Sequence, residues 1–83
     1  MEKKKELQKQ IDESLSKLRT LRDEIRVQAH LFGMELKQAW AALEPRVLKA
    51  EEAALEVTEV SAAALGGAIQ ALIEFQKTTK KKI

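Results

Sequence analysis

The sequence contains no cysteine and no tyrosine, and it has one proline, one histidine and one tryptophan among 83 residues. Without cysteine the chain can form neither a disulfide nor a thiolate metal site. This composition fits a reducing compartment, and we expect a cytoplasmic protein. The charged first ten residues lead into no apolar run, which predicts that they are not a signal peptide.

Long apolar runs are also missing. The most apolar stretch, residues 60–73, is shorter than the roughly 20 residues that a helix needs to cross a bilayer. We therefore expect no transmembrane segment and interpret this stretch as a buried helix. A chain of this length forms one small domain at most, and its core is modest.

Residues that could carry catalysis or bind a metal are scarce. His30 is the only histidine, and the residue three positions before it is Val27, so the Glu-x-x-His pattern of di-iron bundles is absent. The serines lack a G-x-S-x-G context, and the glycine pair at 66–67 lacks P-loop spacing. We expect no enzymatic activity, no metal and no cofactor.

What the sequence does contain is a long helical pattern. From Ile11 to Leu43, positions alternately four and three residues apart are apolar, with Arg22 as the one exception. This spacing is typical of a coiled-coil seam and predicts a helix over about 3–43.

Pro45 interrupts this pattern, and the apolar face shifts after it. Since proline removes an amide donor and clashes with the preceding turn, we expect a turn at about 44–46, followed by a second helix over about 46–78 and a basic tail at 77–83. The predicted fold is all-α, with two long helices forming an antiparallel helical hairpin in a single domain, 1–83. The alternative is one kinked helix that runs through Pro45.

The two predicted helices carry more apolar surface than one hairpin can bury. We therefore expect two hairpins to dimerise into a four-helix bundle, and the predicted function is that of a small non-enzymatic structural or interaction protein. Its predicted partner is itself, in a homodimer or a higher oligomer, or another helical protein. The predicted core or oligomer interface comprises Leu31, Phe32, Met34, Leu36, Trp40, Leu48, Leu55, Leu65, Ile69 and Leu72.

Lysines concentrate near both ends of the chain, and a hairpin would bring the two ends together into one positive pole. The alternative function is non-specific binding of nucleic acid or another anionic surface, led by phosphate contacts. The interpretation that requires no partner is that these lysines belong to two solvated tails. The candidate residues for an anionic partner are Lys3, Lys4, Lys5, Lys9, Lys77, Lys80, Lys81 and Lys82.

Overall fold

A computed structural model of the protein describes residues 2–82, with the side chains of residues 5–81. These residues form three α-helices, which confirms the predicted all-α class. The helices are α1 (Glu2–Gln28), α2 (Met34–Ala53) and α3 (Glu59–Lys82), and a single turn of 3-10 helix, Ala29–Leu31, follows α1. The described part of the chain is an elongated bundle measuring 48 × 17 × 16 Å.

Helix α2 runs antiparallel to α1. Two arginines near the carboxyl end of α1 contact two glutamates of α2 in reverse order along the chain: Arg26 pairs with Glu44, and Arg22 pairs with Glu51. Few backbone positions of α1 and α2 come close to each other, so long side chains bridge these two helices.

Helix α3 reverses direction again and therefore lies parallel to α1. Near the start of α3, the hydroxyl of Ser61 donates a hydrogen bond to the carbonyl of Ala53, the last residue of α2, which is 2.6 Å away. At the other end of α3, the side chain of Gln76 donates a hydrogen bond to Glu24 of α1 over 3.1 Å. The most extensive helix–helix contact of the bundle is that between α1 and α3.

The core consists of residues that recur every seven positions along each helix, as expected for helices that pack at a shallow angle. Of the predicted four-and-three seam, Ile11, Leu18, Ile25 and Phe32 are buried, while the positions between them, Leu15, Arg22 and Ala29, are only partly buried. The buried apolar residues are Ile11, Leu18, Ile25, Phe32, Leu36, Trp40, Val47, Ala50, Leu65, Ala68, Leu72 and Phe75.

All three aromatic residues of the chain meet in one cluster. The rings of Phe32 and Phe75 lie edge to face with centroids 5.6 Å apart, and the Trp40 ring is tilted against Phe75 at 5.7 Å. Each such pair contributes about 0.5–1.5 kcal/mol beyond the burial of its surface. The cluster joins the first turn, α2 and the carboxyl half of α3.

The predicted turn at 44–46 is wrong, because Pro45 lies inside α2. The missing proline amide leaves the carbonyl of Ala41 without a helical donor, but both residues are exposed, so water can bind that oxygen. Burial of Trp40 before the proline and Val47 after it holds the helix together across this point. The cost of a proline within a helix, about 3 kcal/mol, is outweighed by this packing. The two-helix hairpin, with helices over 3–43 and 46–78, is thus replaced by three helices.

The first real turn is at Phe32 and Gly33. Phe32 is extended, with φ −74° and ψ 134°, and Gly33 precedes α2 with φ −72° and ψ 175°. The amide of Phe32 closes the 3-10 turn on the carbonyl of Ala29. Glycine is a poor helix former, and the extended backbone at Phe32 accompanies a buried ring that packs against Phe75.

The second turn, residues 54–58, ends in a helix cap. The hydroxyl of Thr58 accepts a hydrogen bond from the amide of Ser61 at 3.0 Å, and its carbonyl accepts the amide of Ala62 at 3.1 Å. The second is the first regular bond of the helix, whereas the first gives a partner to the Ser61 amide, which has none within α3. Thr58 is therefore the residue that starts α3.

Loss of this cap gives a direct test of the second turn. We expect Thr58→Ala to lower the free energy of unfolding by about 1 kcal/mol, measured by urea denaturation. The matched control is Thr20→Ala, because the Thr20 hydroxyl is exposed on α1 and only bonds back to the carbonyl of Ser16. The control should change stability little, and equal losses in both variants would contradict the capping role of Thr58.

Candidate interaction surface

Six large apolar side chains lie exposed on the bundle. Three of them, Val27, Leu31 and Met34, are near the first turn, and two, Leu55 and Val60, are near the second. Leu48 lies between these groups, on the outer side of α2. Singly exposed apolar residues are common on protein surfaces, so it is their arrangement that matters here.

Three of the six follow one another at a spacing set by α2: Met34 and Leu48 lie on this helix, and Leu55 lies in the turn just after its last residue, Ala53. Met34, Leu48 and Leu55 are 78%, 45% and 86% exposed, and the small exposed residue Ala41 completes a spacing of seven between successive members. Residues seven apart differ by only about 20° around a helix, so they share one face. We call Met34, Ala41, Leu48 and Leu55 the α2 outer stripe. It points away from the core face of the helix, which carries Leu36, Trp40, Val47 and Ala50.

A shallow groove of about 530 Å³ runs between α2 and α3. Its walls are made almost entirely of small side chains, with Arg46 and Lys49 as the only charged residues. Gly67 lines the groove, and a Cβ atom built on it would meet nothing within 4 Å. The groove is thus a consequence of small residues at the α2–α3 contact. The remaining lining residues are Ala50, Ala53, Ala63, Ala64 and Ala68.

Two ion pairs to α1 fix which face of α2 points outward. The pair between Arg22 and Glu51 is the more enclosed, with side chains 16% and 15% exposed. Arg26 and Glu44 form a more open pair, in which two guanidinium nitrogens lie 3.0 and 3.2 Å from one carboxylate oxygen. Arg22, the one charged residue in the α1 seam, therefore faces an opposite charge within the same chain.

The predicted interface residues divide into two groups in the structure. Phe32, Leu36, Trp40, Leu65 and Leu72 are buried in the core of one chain, and Ile69 packs partly buried against it. The exposed ones are Leu31, Met34, Leu48 and Leu55. The sequence pattern alone could not separate these groups, although the repeat of seven from Met34 to Leu55 is visible in it.

The predicted positive pole is wrong, because α1 and α3 are parallel and their lysines lie toward opposite ends of the bundle. Lys77, Lys80 and Lys81 follow Gln76, which contacts α1 at Glu24. Lys9 lies fifteen residues before Glu24, or roughly 22 Å away along the helix, and Lys5 lies further still. The predicted basic tail is also wrong from residue 77 to 82, which continue α3. The side chains of Lys3, Lys4 and Lys82 lie outside the described residues.

Residues 5–81 contain no obvious centre for chemistry. His30 is exposed, and its Nδ1 lies 2.7 Å from the carbonyl oxygen of Val27. Among the described residues, no three histidine, aspartate or glutamate side chains come together in a way that could hold a metal ion. No helix within the described range has both the length and the apolar character to cross a membrane.

Comparison with known proteins adds no relative. No protein-family model, curated protein or solved structure is significantly similar to this chain.

The enclosed ion pair should contribute more to stability than the open one. We expect Arg22→Met to lower the free energy of unfolding by about 2 kcal/mol, since it leaves the Glu51 charge half-buried and unpaired. Arg26→Met should cost less than about 1 kcal/mol. The double variant Arg22→Met/Glu51→Met should recover most of the loss. Equal effects of the two arginine substitutions in urea denaturation would contradict this ranking.

Proposed function

We propose that the protein is a small, non-enzymatic structural or interaction protein that associates with itself through apolar helix surface. The observation that carries the proposal is the row of exposed apolar side chains formed by Met34 and Leu48 of α2 and by Leu55 in the turn that follows this helix. An isolated bundle leaves this row in water. Covering apolar surface stabilises an assembly by about 25 cal/mol per Å², so a row of this kind favours association.

The proposed assembly contains more helices than a pair of two-helix hairpins. Each chain brings three helices, so a dimer contains six rather than four. A two-fold dimer uses the same surface on both copies, and an exposed apolar row along α2 and the turn after it suits such an interface. Phe32 and Leu36 contribute to this assembly only indirectly, because both are buried in the core of each chain.

The alternative, binding of an anionic partner, has weaker support. The described lysines near the two ends of the chain are divided between the two ends of the bundle, and no aromatic residue lies among them. This arrangement offers separate small clusters of charge rather than one surface, and the proposal of self-association does not depend on it.

Sedimentation equilibrium of the wild-type chain tests the proposal. We expect a reversible increase in mass above that of one 9.3 kDa chain as the concentration rises toward about 1 mM, the range of weak complexes. The triple variant Met34→Lys/Leu48→Lys/Leu55→Lys should remain monomeric, because three ammonium groups would have to be desolvated in the interface.

The matched control places three lysines at exposed polar positions on the other two helices, Gln10→Lys/Ser16→Lys/Gln70→Lys. It adds the same charge and should associate like the wild type. Far-ultraviolet circular dichroism should show equal helix content in all three proteins. A wild-type chain that stays monomeric over the whole concentration range would contradict the proposed function.

A further inference from the structure

The α2 outer stripe is self-complementary in an antiparallel arrangement. Its four residues are spaced evenly about a midpoint between Glu44 and Pro45. We infer that a second copy of this chain docks on the stripe with its own α2, the two α2 helices running antiparallel about a two-fold axis at that midpoint. This inference rests on the proposed self-association and specifies its surface and register.

The first supporting feature is the match of large and small side chains. When two α2 helices are aligned in this way, residues whose numbers add to 89 lie level with each other. Leu48 of each copy then lies opposite Ala41 of the other, and Met34 lies opposite Leu55. A leucine set against an alanine allows two helices to interdigitate without a void or a clash. The two-fold axis repeats each contact, so all four stripe residues of both chains become covered over a length of about 30 Å.

Charge complementarity supports the same register. Lys37, which is exposed on α2, comes level with the exposed carboxylate of Glu52 of the second copy, and the symmetry produces this pairing twice. Near the axis the two copies of Glu44 approach each other. Each already pairs with Arg26 of its own chain at 3.0 Å, so the charge that two carboxylates would bring to the centre is balanced.

Pro45 also suits a position at the centre of this contact. It is exposed in the single chain, and its ring adds apolar surface beside the stripe. An exposed proline kept inside a helix is costly, and a place in an interface gives its apolar ring a partner.

An exchange of the facing residues tests the register. We expect Leu48→Ala to weaken the dimer by roughly tenfold, about 1.4 kcal/mol, as measured by sedimentation equilibrium. The double variant Ala41→Leu/Leu48→Ala should return the dissociation constant to within about threefold of the wild-type value, because each contact again pairs one leucine with one alanine. The matched control, Ala42→Leu/Leu48→Ala, puts the same leucine one residue further along on an exposed position and should stay weak.

Cysteine cross-linking gives a second, independent measurement, since the natural chain has no cysteine. Position 45 lies next to the two-fold axis, so Pro45→Cys should form a disulfide-linked dimer under mild oxidation much faster than Gln70→Cys on the exposed side of α3. The substitution removes a proline from a helix and therefore does not threaten folding.

The outcomes separate this inference from the proposed function. Rescue by the exchange together with rapid cross-linking at position 45 supports antiparallel α2 pairing. A wild-type chain that dimerises, with Leu48→Ala unchanged or with no preferential cross-link at position 45, overturns the inference and leaves self-association standing on another surface. A wild-type chain that stays monomeric overturns both. So does a chain whose exposed stripe is covered only by a different protein.

Discussion

The aromatic cluster of Phe32, Trp40 and Phe75 is the contact on which the arrangement of the three helices depends. It uses every aromatic residue of the chain and joins three segments that are far apart in sequence. Phe32 turns the backbone out of α1, Trp40 sets the rotation of α2, and Phe75 attaches both to α3. A small domain has few buried contacts, so large side chains that join three elements at once have a disproportionate effect on which fold is stable.

The rotation of α2 set by this cluster has a functional consequence. With Trp40 and Val47 turned inward, and with Glu44 and Glu51 beside the arginines of α1, the side of α2 next to these glutamates still faces solvent. That side carries the outer stripe. A helix with apolar residues on two faces is normally buried on both, and one chain buries only one of these. The proposed antiparallel pairing covers the second face of α2.

Periodicity predicted much of the core but misplaced the turns. Ile11, Leu18, Ile25 and Phe32 of the predicted seam and the leucines at 65 and 72 are buried, and the seam positions between them are partly buried. The predicted turn at Pro45 is wrong because the local penalty of proline is outweighed by the burial of Trp40 and Val47 on either side of it. That burial depends on α1 and α3, which lie far away in the sequence. Gly33 and the capping residue Thr58 were weaker signals that mark the real turns. Which apolar residues are exposed follows from the placement of a third helix, and so it could not be derived from spacing alone.

Small-angle X-ray scattering on the peak of a sizing column, with light scattering for mass, tests the central claim of side-by-side association most directly. One bundle is 48 Å long between its outermost Cα atoms. Antiparallel docking along α2 doubles the mass and gives a longest dimension of roughly 75–85 Å, because the two-fold axis beside Glu44 lies level with Arg26, about 36 Å from the start of α1, and so places the starts of the two α1 helices about 72 Å apart. A particle with the mass of one chain, or one of two chains with a longest dimension of about 100 Å from end-to-end contact, would contradict the account.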